Sequence, residues 1–433
     1  MKNKNLLLSG IIVGFALFST YFGAGNLIFP PYIGVMTGSN FSAGILGMTI
    51  SAIFLPIIAV VGVLNSGGSM DTIMKPLGKR YMQFFFFINY TFLALGSTLP
   101  RCAATTYEMG VGPLLGNVPI IVSSVIFFTI FYLLARTKES VVDKLGKYLT
   151  PALLILLVII VIKVVMDPIG LQAAPKVEKP LVDATLNGYL TGDLTLGILC
   201  GGMFISALKD QGYDDKKVRK GTYIACIVAF IGLFIVYGGL VYGGACLSTE
   251  YTLDAERTTL LIEIVHRALG NVGLMLLSGA VTLACLTTSV GLGANAASFL
   301  EELTNHKVKY KTWIAGIAVL CCILSVQGVT GLIDYVTPLF AFLYPIFIVI
   351  TFLGIFDKMV PNDGVYKGGV ALSSLFGLLD AIVIVSKSAA LEGFVKSMPL
   401  GEYGFAWLVP TIIGMIIGYF LYKGKPRVQE LAW

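Results

Sequence analysis

The chain has 433 residues, of which 56% are hydrophobic and only 12% are charged. A soluble domain carries about 25% charged residues, so the composition excludes an ordinary water-soluble protein and points to a bilayer. The net charge of +6 is no nucleic-acid signal, because the basic residues sit in scattered short loops, and none of the seven cysteines falls in a CxxC pair, which argues against zinc and disulfides.

In chain order, the apolar stretches predict an all-α membrane protein of about twelve transmembrane helices. They lie at roughly 6–33, 41–64, 81–107, 118–135, 148–166, 189–208, 221–246, 271–300, 312–327, 329–356, 368–386 and 403–422. The first stretch is too long for a cleavable signal peptide and is followed by no small-residue cleavage site, so none is expected. An even count puts both termini on one side. Most of the 30 basic residues fall on that side, leaving Arg101, Lys163, Lys176, Lys179, Arg257, Arg267, Lys387 and Lys396 for the other side and the spans. Such an imbalance predicts cytoplasmic N- and C-termini. Asp167 to Asp183, with three prolines, is the longest outer connection, and Thr258 to Leu269 reads as a short surface helix capping a cavity.

Ser19 to Pro31 (STYFGAGNLIFPP) interrupts the first span. Gly23 and Gly25 bracket Ala24 and favour unwinding, Asn26 puts a polar group at hydrocarbon depth, and Pro30 and Pro31 remove two amide donors. Broken backbone in a bilayer is tolerated where it is buried in protein or lines a cavity. There its amides can hold an anion and its carbonyls a cation. In the sixth span, Cys200-Gly201-Gly202-Met203-Phe204 reads as a second break. Five spans separate the two. An odd offset requires two halves of opposite orientation, the pattern of a secondary transporter with its site at the paired interruptions. Two unrelated glycine-rich helices are the alternative.

In the eighth span Thr287, Thr288 and Ser289 cover most of a helical turn, ready to ligate a small hard cation or to bond their own helix carbonyls. Arg101, Asp193 and Asp334 are ionisable groups in the outer parts of spans, and such groups are functional candidates by default. Arg101 paired with Asp193 or Asp334 would form an outer gate or a static ion pair. No phosphate-binding loop, zinc-protease motif or nucleophile elbow occurs, so an ATP-driven pump and an embedded hydrolase are not expected. Nor does the chain show the repeated filter motifs of a channel.

The motifs FGAGNLIFPP (Phe22–Pro31), TLPRCAATTYE (Thr98–Glu108), NGYLTGD (Asn187–Asp193), SALKDQGY (Ser206–Tyr213) and LACLTTSVGL (Leu283–Leu292), in this order, resemble those of the branched-chain amino acid:cation symporter family, the system II carriers of bacteria. The resemblance spans nearly the whole chain. It implies a single integral membrane domain with the leucine-transporter-type fold: repeat one at about 6–166, repeat two at about 189–356 with broken helices 1 and 6, and two extra C-terminal helices at about 368–422. It also implies a bacterial cytoplasmic-membrane carrier, not an enzyme, importing leucine, isoleucine and valine with sodium, or with protons in some members, and needing no other cofactor. Another neutral amino acid or small solute on the same fold remains the alternative.

By that resemblance the substrate carboxylate meets amides near Gly23, Ala24, Gly25 and Asn26. The ammonium group meets carbonyls near Gly201, Gly202, Met203 and Phe204, those of the first break being the alternative or addition. Phe22 and Phe204, with the third and eighth spans around Ala94 and Ser97, form an apolar wall. Sodium is held by carbonyls near Ser19 and Phe22 with hydroxyls of Thr288 and Ser289, or of Thr287 in another register.

Overall fold

The computed structural model describes residues 5–23, 26–116, 118–136, 141–425 and 427. Among these, every regular element is helical. The main helices are α1 (Leu6–Tyr21), α2 (Phe29–Asn65), α3 (Lys79–Leu115), α4 (Ile120–Ala135), α5 (Val141–Met166), α6 (Pro180–Tyr189), α7 (Asp193–Lys209), α8 (Asp215–Cys246), α9 (Arg257–Leu303), α10 (Tyr310–Ser325), α11 (Gly328–Ile355), α12 (Asp363–Ser386), α13 (Ala389–Ser397) and α14 (Leu408–Leu421). Six of them are long and apolar enough to cross a membrane, seven if the bent pair α6 and α7 is one span, and five more apolar helices are shorter.

The first interruption falls where the sequence puts it. α1 ends at Tyr21 and the helix restarts at Phe29, with Pro30 and Pro31 in its first turn. There a missing amide costs no helical bond, so the prolines mark the restart. Ala24 and Gly25 lie outside the described residues. Gly38 then turns the backbone at φ 50° inside α2.

The second interruption differs from the expectation. α6 and α7 meet at a 49° bend around residues 190–192, and Gly192 takes φ 78°, a conformation that glycine adopts at no steric cost. Gly201, Gly202, Met203 and Phe204 lie inside uninterrupted α7. Gly202 is there for space: a Cβ on it would meet the Gly68 carbonyl oxygen and the Ser69 Cα at 3.1 Å, whereas one on Gly201 would make ordinary contact with Val60 and Val63 at 3.4 Å. Lipid gives helices little hydrophobic reason to associate, so close backbone contact through small residues replaces it.

The same device recurs. A Cβ on Gly244 of α8 would lie 2.0 Å from the Pro31 carbonyl oxygen, which fixes the restarted helix against α8. Gly364 and Gly368 of α12 face Gly418 and Gly414 of α14 backbone to backbone.

Three stretches widen to π-helix: Thr49–Phe54, Asn89–Thr98 and Tyr107–Val111. Each ends two residues before a proline, Pro56, Pro100 or Pro113. The wider turn accommodates the ring and the missing amide without breaking the helix. In α9, Gly270 at φ 62° separates the expected surface helix, 257–269, from the long apolar part.

Candidate functional site

A cavity with room of about 90 Å3 for the centres of water molecules lies between the two interruptions. One water needs about 10–15 Å3 on that measure, so several fit. Gly23 and Asn26 line it from the first break and Thr191, Gly192 and Thr195 from the second. The π-helical face of α3 contributes Asn89, Leu93, Ala94 and Thr98, followed by Arg101 and Cys102. Thr288 and Leu292 of α9 and Phe340 of α11 close it. The wall is apolar along Leu93, Ala94, Leu196, Leu199, Leu292 and Phe340, with polar groups at the two breaks and further ones (Asn89, Thr98, Arg101 and Thr288) on α3 and α9.

Some of the freed backbone groups among the described residues have partners. The Tyr21 carbonyl at the end of α1 accepts from the Asn26 amide nitrogen at 2.9 Å and from the Tyr237 hydroxyl at 3.3 Å. The Asn26 Nδ2 also donates to Asp193 Oδ1 at 2.7 Å, joining the first break to the first turn of α7. Thr191 Oγ1 donates to the Gly188 carbonyl at 2.9 Å, and the Leu190 carbonyl accepts from Arg101 Nη1 at 3.5 Å.

The expected site residues divide. Gly23 and Asn26 line the cavity. Phe22 is buried behind it, stacked on Phe18 and Tyr237 at 4.8 and 6.3 Å between ring centroids. Gly201, Gly202, Met203 and Phe204 do not line it, and Met203 is 59% exposed on the outer face of α7. Of the wall residues, Ala94 faces the cavity while Ser97 is buried outside it.

Of the hydroxyl cluster, Thr287 Oγ1 donates back to the Ala284 carbonyl at 2.9 Å, whereas Thr288 lines the cavity. Ser289 is fully buried and its hydroxyl makes no hydrogen bond of ordinary geometry among the described residues. Ser19 is half-buried two residues before the end of α1.

The expected gate pair is not formed. Among the described residues Arg101 makes no ion pair with Asp193 or Asp334. Arg101 is buried and turned to the carbonyl released at residue 190, and Asp334 is exposed on α11. A different arginine covers this end. The Arg257 guanidinium lies 4.0 Å from the Tyr32 ring centroid and 5.1 Å from that of Phe29, and its Nη2 donates to Asn187 Oδ1 at 3.4 Å. It thereby ties the surface helix to α2 and α6. Glu108 of α3 accepts from the Thr258 hydroxyl at 2.7 Å and from the Val329 amide at 2.8 Å, fixing the same end to α9 and α11.

Thr191, Gly192, Thr195 and Phe340 were missed from sequence. The signal for the first two lies in NGYLTGD itself, where a glycine sits between two side chains that can cap a helix.

Comparisons with known proteins supply the family. Residues 7–425 match the profile of a family described as "Branched-chain amino acid transport protein". The "Branched-chain amino acid transport system 2 carrier protein" of Pseudomonas aeruginosa is 33% identical over 430 residues, 96% of this chain and 97% of its own length. The "Branched-chain amino acid permease BraB" of Bacillus subtilis is 31% identical over 432 residues, 97% of each. Among solved structures, Mhp1 in an inward-facing conformation superposes with TM-score 0.55 at 13% identity, covering 96% of this chain and 91% of its own. MhsT in complex with L-phenylalanine gives 0.51 at 14%, covering 95% and 98%. These neighbours share the leucine-transporter-type fold with this chain. The cavity between two broken helices thus sits in a multi-pass membrane transporter rather than an enzyme, and the chain belongs to the branched-chain amino acid transport family.

Proposed function

We propose that this chain imports leucine, isoleucine and valine by symport with a cation, sodium in the first instance, through alternating access. The observation that carries the reading is the cavity itself, which sets an apolar stretch of Leu93, Ala94, Leu196, Leu199, Leu292 and Phe340 beside polar groups at both breaks and on α3 and α9. A zwitterionic amino acid needs hydrogen bonds at each charged end once out of water. The amides around Gly23 to Asn26 serve the carboxylate, and the carbonyls released at residues 190–192 serve the ammonium group. Each buried methylene contributes about 0.8 kcal/mol, so leucine is favoured over alanine by about 2 kcal/mol.

Sodium is assigned to the Ser19 and Phe22 carbonyls with the Thr288 and Ser289 hydroxyls, which would tie α1 to α9. The fold reading has twelve spans, α1 and the first part of α2 forming one and α6 with α7 another. They are arranged as five plus five inverted spans with two extra helices, termini in the cytoplasm of a bacterial inner membrane. Arg257 on Tyr32 and Phe29, with Arg101 on the Leu190 carbonyl, would serve as the outer closure.

The test is uptake of labelled leucine into proteoliposomes under a sodium gradient, a proton gradient or neither. Sodium-dependent uptake competed by isoleucine and valine, with alanine about thirtyfold weaker, is expected. Uptake that ignores branched-chain competitors would overturn the substrate assignment. Proton coupling is the second reading, favoured by the buried Asp193 carboxyl.

A further inference from the structure

Asp193 is fully buried in the first turn of α7. Its Oδ1 accepts the Asn26 amide, but its Oδ2 is buried with no hydrogen bond of ordinary geometry among the described residues, the Thr191 hydroxyl standing near the carboxyl. The charged and titratable groups facing it come from four helices: Arg101 of α3, Tyr21 of α1, Tyr237 of α8 and Tyr344 of α11. None supplies a counter-ion in contact. The three tyrosines are neutral, and Arg101 is directed to the Leu190 carbonyl. A carboxylate in such a place is costly unless a cation joins it.

Four residues around it (Asn26, Thr191, Gly192 and Thr195) line the cavity, so Asp193 stands immediately behind the wall formed by both breaks. The hydroxyl cluster of α9, by contrast, carries no formal charge.

Resting on the reading of the chain as a cation-coupled carrier, we propose that Asp193 is the acceptor of a coupling cation, a proton or a sodium ion other than the one assigned to the α1–α9 site, and that its bond to Asn26 conveys occupancy to both broken helices. Arrival of a monovalent cation at Oδ2 neutralises the carboxylate, and its departure on the other side restores it. The Asn26 amide, which donates both to Asp193 and to the Tyr21 carbonyl, then holds the two interruptions more weakly or more tightly according to that charge.

The experiment uses the full chain in proteoliposomes, wild type and Asp193→Asn, with leucine exchange and net uptake measured under a sodium gradient at equal pH and under a proton gradient without sodium. The expected result is that the gradient driving wild-type accumulation names the cation, and that whatever transport Asp193→Asn retains no longer responds to it. Accumulation by the variant with the wild-type cation response overturns the proposal. Should the variant not fold, the wild type decides. Dicyclohexylcarbodiimide, which modifies protonated intramembrane carboxyls, should label Asp193 by mass spectrometry. Sodium at fixed pH should suppress that label if sodium is the cation, and only rising pH should do so if it is the proton. No label, or a label indifferent to both, overturns the assignment. Absence of leucine exchange in the wild type would instead sink the carrier reading.

Discussion

Asn26 and Asp193 stand 167 positions apart in the chain and share a 2.7 Å hydrogen bond. That bond is the direct side-chain link between the two interruptions, and the same amide also satisfies the carbonyl that ends α1. Asn26→Ala removes both contacts and leaves a buried carboxyl oxygen bare. A hydrogen bond to a charged group contributes about 1.5–3 kcal/mol, and a stability loss of that order is expected by thermal melting in detergent, together with loss of leucine-induced stabilisation. Asn89→Ala is the control. Its amide faces the same cavity but donates within its own helix, to the Phe85 carbonyl at 2.9 Å, and a smaller effect is expected.

Backbone contact between α2 and α8 makes a second prediction. A methyl group on Gly244 would stand 2.0 Å from the Pro31 oxygen, whereas one on Gly279 of α9 meets nothing within 4 Å. Overpacking of a tight contact costs about 1–3 kcal/mol or more. Gly244→Ala should lower the folded yield and the melting temperature, while Gly279→Ala should leave both unchanged or slightly raised. Equal behaviour of the two variants would mean that the α2–α8 contact is not tight in the membrane.

Cys102 offers a native reporter, since its side chain belongs to the cavity wall. If leucine occupies that cavity, its binding should slow modification of Cys102 by a small methanethiosulfonate reagent. At ten times the dissociation constant the slowing should be about tenfold, measured by peptide mass spectrometry. A rate at Cys102 untouched by leucine would place the substrate elsewhere.

The surface helix makes a pH prediction. Arg267 Nη2 and Nη1 donate to the two Glu250 carboxylate oxygens at 2.6 and 2.8 Å, and Nε donates to Glu263 at 2.7 Å. The Arg267 bonds hold the Glu250 carboxyl below its ordinary range. A carboxyl with a lowered folded value stabilises at pH above its unfolded value, about 4.3, and that contribution disappears as pH falls through the lower folded value. Amide protection over residues 257–269, corrected for the intrinsic pH dependence of exchange, should therefore be unchanged from pH 7 to about 5 and fall only below about pH 4.3. In Arg267→Gln it should be lower already at pH 7.

Much of this was legible in the sequence, and the rest failed for physical reasons. The first break announced itself by composition, because glycine, asparagine and paired prolines all act on the local backbone. The second was misplaced by about ten residues because sequence does not say why a glycine is present. Gly202 is small so that the turn at residues 68–69 can approach, while Gly192 carries the positive φ that turns the chain. Arg101 was correctly picked out as an unusual buried cation, but its partner is a backbone carbonyl, and backbone acceptors carry no sequence signature. Arg257 escaped notice because its partners, Phe29, Tyr32 and Asn187, belong to two other helices far away in the chain.

The glycine faces of α12 and α14 have a consequence for temperature. Gly364 against Gly418 and Gly368 against Gly414 bring two backbones into van der Waals contact, while Leu375, Leu378, Ile382, Ile412, Ile416 and Phe420 stay exposed on the outer faces of the pair. Such a mast is held by dispersion rather than by the expulsion of water, and the latter weakens on cooling. This end of the molecule should stay stiff in the cold.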